Sequence, residues 1–175
     1  MKWSTIFKIS SRYGAVAGIL AFVLLIIQYY LGRHPMLTSP LLDFRILLFG
    51  IFIFFALREF RDYVQEGFLS FAQGMLGALT VVFVSSLITS IAMVGFGMWE
   101  NGFVAMFIAQ STEYLKTFPK EDIERIGKVM YERNLNALPA TTISDLAKIH
   151  FVHGTIIGFF VSIIVSVILR RQPKN

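Results

Sequence analysis

The run AQGMLGALTVVFVSSLITSIAMVGFGMW, residues 72–99, contains no charged side chain. About 20 apolar residues at 1.5 Å rise cover the roughly 30 Å hydrocarbon core of a bilayer. This run is therefore long enough to cross with tilt. Its hydroxyls, Thr80, Ser85, Ser86, Thr89 and Ser90, can bond their own helix backbone or a neighbouring helix at small desolvation cost.

Two further stretches share this character, residues 13–31 and 151–169. A fourth, residues 46–57, is shorter and fits a re-entrant or buried helix as well as a crossing. Counting from Leu41 lengthens it enough to span but includes Asp43 and Arg45. Both lie near the helix start, where Asp43 suits the positive dipole end and Arg45 is expected to snorkel outwards. The expected architecture is an all-α polytopic membrane protein, a four-transmembrane-helix bundle in one domain over residues 1–175. Its spans lie near 13–31, 41–57, 72–99 and 149–169.

Composition agrees with immersion in lipid. Hydrophobic residues make up 55% and charged residues 15% of the 175-residue chain, where a soluble domain carries about 25% charged. With 18 Phe and a mean hydropathy of +0.66, so small a soluble protein could not bury its apolar surface. There is no cysteine, which removes disulfides, thiolate metal sites and cysteine nucleophiles. The basic start followed by an apolar run resembles a signal peptide. The run is longer than an h-region, however, and ends in Tyr29, Tyr30, Leu31, Gly32 and Arg33 rather than small residues. An uncleaved first span is expected.

Residues 100–148 form the one sizeable polar region. Phe103, Phe107 and Tyr114 recur at helical spacing, and Pro119 suits the first turn of a new helix with Glu121, Asp122 and Glu124 at its positive end. Ile123, Ile126, Met130 and Tyr131 make one apolar face of that helix, which ends across Asn134 to Pro139. Thr142 or Ser144 then starts a last helix that runs unbroken into the fourth span. The segment is expected to be extracytoplasmic, amphipathic and helical, packed on the bundle or touching a partner.

Basic residues set the orientation. Lys2, Lys8, Arg12, Arg58, Arg61, Arg170, Arg171 and Lys174 lie on the termini's side of a four-span layout, while the short opposite flanks carry Arg33 and Arg45. By the positive-inside rule both termini and the link at residues 58–70 are cytoplasmic, in the inner membrane. The +5 net charge is thereby a matter of topology and lipid headgroups, and no nucleic-acid partner is expected.

Candidate chemistry is sparse. His150 and His153 share a helix face and would need a third donor, such as Glu100 or His34, to hold a metal. The plainer reading is two polar residues holding a helix end. No ionisable group lies near the middle of a span, as a transport pathway would require. No catalytic triad, phosphate-binding glycine loop or paired carboxylates lie within a span. The chain is therefore expected to be non-enzymatic, without cofactor, and to work by interaction as an accessory or scaffold subunit. A transporter or channel-like component, or an enzyme with a loop-borne site, is the alternative. Interaction candidates are the Gly14 and Gly18 face, for close approach within the chain or between copies, and the cluster Arg58, Glu59, Arg61 and Asp62. Arg58 and Asp62 stand at i,i+4. Gly67 breaks the run after them, and Ser70 offers an N-cap to the third span.

That cluster also carries a likeness. Arg58, Glu59, Phe60, Arg61 and Asp62, followed by Gly67, Phe68, Leu69, Ser70, Phe71, Ala72, Gln73 and Gly74, with Tyr13, Gly14 and Gly18 opening the first span, resemble a bacterial (Bacteroidota-type), DUF4199-like family. Its members are small four-span membrane proteins of unknown function. The resemblance implies the four-span layout and carries no activity with it.

Overall fold

The computed structural model describes residues 2–39 and 42–171. Lys174 and Leu41, invoked above for charge and for the length of the second span, lie outside the described residues, as does the side chain of Lys2. The helices are α1 (Lys2–Tyr30), α2 (Phe44–Val64), α3 (Phe71–Trp99), α4 (Gly102–Lys116), α5 (Lys120–Ile126), α6 (Lys128–Ala137) and α7 (Ile143–Leu169). Short 3-10 turns stand at Pro35–Leu37 and Leu138–Ala140. The fold is all-helical, and among the described residues the sole extended pairing is one backbone bridge between Leu69 and Arg171.

Helices α1, α3 and α7 are long and apolar enough to cross a membrane. Helix α2 has 21 residues, with charges confined to its two ends. α1 and α7 each pack against both α2 and α3, and α2 meets α3 across the centre. One core cluster joins Phe49, Ile53, Leu57 and Phe60 of α2 to Ile6, Val81, Val82 and Leu169. A second, around Leu25, Met93, Phe96, Phe103 and Leu146, seals the end away from the termini under α4.

Small residues bring the helices together. A Cβ on Gly14 would lie 2.8 Å from the Val81 carbonyl oxygen, and one on Gly18 2.8 Å from that of Ser85. The Thr89 hydroxyl donates to the Gly18 carbonyl at 3.0 Å, tying α3 to α1. On α3's other flank Gly158 abuts Val82, and Gly74 abuts Ser166. α3 is thus clasped on two sides through backbone-close contacts, the packing mode available where lipid removes the hydrophobic drive between helices.

Local signals set the helix ends. Ser70 caps α3 and Thr142 caps α7, each closing a reciprocal capping box, with Gln73 and Asp145 respectively. One expectation is corrected. The apolar face through Ile123, Ile126, Met130 and Tyr131 does not lie on one helix, because Gly127, at φ +92°, breaks it into α5 and α6. That left-handed backbone suits glycine. Tyr131 turns inward to donate to the Leu115 carbonyl at 3.1 Å, while Ile126, Val129 and Met130 remain exposed.

Candidate functional site

The end of the bundle away from the termini holds the most unusual chemistry. Asp43 is the N-cap of α2, accepting from the Arg45 backbone N–H at 2.9 Å. The same carboxylate accepts from Arg45 Nε at 2.9 and 2.8 Å and from Nη2. Arg45 Nη1 donates to the His150 carbonyl of α7 at 3.0 Å. Arg45 is only 8% exposed, so the expected outward snorkelling is corrected: the guanidinium turns into the bundle. The cause is local. A cation beside a helix N-terminus meets an unfavourable dipole, and Asp43 both caps the helix and neutralises that cation. Gly154 makes the room, since a Cβ there would lie 3.3 Å from Nη1 and 2.8 Å from Ser86 Oγ.

His150 is buried with Nδ1 3.4 Å from the Ser90 hydroxyl of α3. His153, one turn on, is exposed. It lines a cleft of about 760 Å³ together with Asp43, Arg45, Thr38, Tyr114 and Ile156. The two histidines therefore point to different surroundings. The other donors considered for a metal lie elsewhere: Glu100 accepts from the Gly102 N–H at 3.2 Å, and the His34 ring packs at a tilt against Phe103 with centroids 4.5 Å apart. Among the described residues no three His, Asp or Glu side chains converge.

His34 anchors the α1–α2 connection. Its Nδ1 accepts from the Met36 N–H at 3.2 Å. Gln110 of α4 clamps the same connection, accepting from the His34 N–H at 3.0 Å and donating to the Gly32 carbonyl at 2.9 Å. Sequence reading missed Gln110, because a lone glutamine in an amphipathic helix gives no signal. Burial lowers the His34 pKa from 6.5 to about 4. The unfolded chain protonates there first, so stability is full above pH 6.5 and falls as pH drops towards 4. The loss is expected to reach about 3 kcal/mol. Melting in detergent across that window checks it, and His34→Asn, which keeps an acceptor for the turn, should flatten the acid limb.

The opposite end gathers the other candidates. Arg12 Nη2 donates to both Glu59 oxygens at 2.6 and 2.7 Å, and the Tyr13 hydroxyl donates to Glu59 Oε2 at 2.7 Å. Arg58 lies 3.5 Å from Asp62 across the expected turn, and Arg61 pairs with Asp62 at 2.7 Å. Glu66 and Gly67, both at positive φ, turn the chain into the Leu69–Arg171 bridge. The cluster thus joins α1 to α2 while the link after it holds the end of α7. Gly14 and Gly18 are covered by α3 within the chain.

No curated protein and no solved structure matches the chain. The family model described as "Protein of unknown function (DUF4199)" matches residues 12–171, nearly the whole length. The chain belongs to that family.

Proposed function

We propose that this is a non-catalytic, four-span protein of a bacterial inner membrane. In this reading both termini and the 58–70 link face the cytoplasm, and the protein serves as an accessory or scaffold subunit that docks a membrane partner through its 100–148 segment. The observation that carries the fourth crossing is the outer face of α2. Leu47, Ile51 and Phe55, spaced one turn apart, are 67%, 41% and 48% exposed. An unbroken apolar stripe of that kind belongs against lipid, opposite the buried stripe of Phe49, Ile53 and Leu57. Docking is supported by Ile126, Val129 and Met130, which are exposed on α5 and α6 with nothing packed over them.

Purification in mild detergent tests this role. A stoichiometric membrane protein should accompany the chain and be lost on Val129→Glu/Met130→Glu, a change that leaves the bundle core untouched. Recovery of the chain alone, or only as a self-associated species indifferent to these substitutions, overturns the docking surface. A transporter or an enzyme would instead show stabilisation by a metabolite.

A further inference from the structure

The cleft beside Asp43 and Arg45 has an imbalance of hydrogen-bonding groups that defines what could fill it. Asp43 Oδ1 already accepts from the Arg45 backbone N–H and Nε, and Oδ2 from Nε and Nη2. Those contacts use three N–H groups, the single Nε–H being shared between the two oxygens, against about four lone-pair sites, so little acceptor capacity is left. Arg45 brings five N–H donors. Nε, one N–H of Nη2 and one of Nη1 are engaged. Among the described residues no acceptor meets the second N–H of either Nη. His153 and the Tyr114 hydroxyl add further donor capacity around the same cleft. Thr38 and Ser39 line the same cleft with hydroxyls that can donate or accept, so the spare donors of the charged Arg45 are what distinguish its polar end.

The remaining wall is hydrocarbon. Ile156 and Ile157 line it, and Ile156 is 51% exposed at the mouth. One turn further along α7, Phe160 is 61% exposed on a helix apolar enough to span a bilayer. A volume of about 760 Å³ falls within the usual range of ligand pockets. The matching occupant has acceptor oxygens at one end and a hydrocarbon chain at the other.

We propose that this cleft is a phospholipid site. The phosphodiester oxygens accept from the spare Arg45 N–H groups and from His153, and an acyl chain runs down α7 over Ile156 and Phe160. The buried Asp43–Arg45 pair then has two duties: it joins α2 to α7, and it presents oriented donors at headgroup depth. The site rests on the membrane reading only in that its mouth opens to the bilayer, and it does not depend on any protein partner.

Native mass spectrometry on the delipidated full chain tests the assignment. Phosphatidylethanolamine, the phosphate-free diacylglycerol and inorganic phosphate serve as probes. One phosphatidylethanolamine should be retained about tenfold more tightly than diacylglycerol, the difference expected for losing a charge-assisted contact. His153→Ala should abolish most of that preference, and Ile156→Trp should weaken retention of both lipids, while each variant, made at an exposed position, leaves the melting of the delipidated protein unchanged. Equal retention of the two lipids, or retention indifferent to both substitutions, overturns the proposal. Protection by inorganic phosphate alone would also overturn it, in favour of a soluble anion. A failure of the partner reading leaves these outcomes unaffected.

Discussion

Asp43→Ala is expected to destabilise the protein by about 3–5 kcal/mol, because it leaves the Arg45 guanidinium buried and unpaired. Loss of an N-cap alone costs about 1 kcal/mol, so the excess over that figure reports the charge. The two partners should behave asymmetrically. Arg45→Met removes a cation from an unfavourable helix start and leaves Asp43 as a cap, so it should cost less than Asp43→Ala. The double variant Asp43→Asn/Arg45→Met should recover most of the loss, as buried ion pairs replaced together by neutral groups often do. Detergent-based unfolding of the three variants gives the comparison. An Asp43→Ala effect no larger than an ordinary cap would mean that Arg45 reaches water, contrary to its 8% exposure.

The second large effect concerns glycines, which divide sharply by what faces them. Gly14→Ala and Gly18→Ala each place a methyl 2.8 Å from a backbone carbonyl oxygen of α3, and backbone cannot yield as a flexible side chain can. Each is expected to cost about 1–3 kcal/mol, and the pair should separate α1 from α3. Gly50→Ala and Gly95→Ala meet nothing within 4 Å. Both sit inside helices, where alanine is favoured by about 1 kcal/mol, so they should be neutral or stabilising. If all four behaved alike, the helix contacts described here would be wrong. Were Gly14 and Gly18 an interface between copies, their substitution would change the oligomer and spare the fold.

Much of this was legible in the residues because lipid imposes a coarse requirement. An uncharged run of sufficient length spans, so α1, α3 and α7 could be read directly. Short-range chemistry was equally readable: Ser70 and Thr142 cap where expected, and Arg58 meets Asp62 one turn on. The site was not legible, since its parts converge only through tertiary contact. Arg45 looked like an edge charge free to reach water. What turned it inward is a carbonyl 105 residues away and the gap left by Gly154. The split between α5 and α6 had a visible signal in Gly127. Apolar and charged residues continue at helical spacing on both sides of it, however, and the periodicity masked the break.

The layout of the chain across the membrane is tested most directly by two fusions. A fluorescent protein after Asn175 and alkaline phosphatase inserted at Gly127 report opposite compartments. Fluorescence from the first and phosphatase activity from the second are predicted, placing the α7 terminus inside and α5–α6 outside. Phosphatase activity from a fusion after Asn175, or both positions on one side, would contradict a bundle that crosses four times with its tails in the cytoplasm.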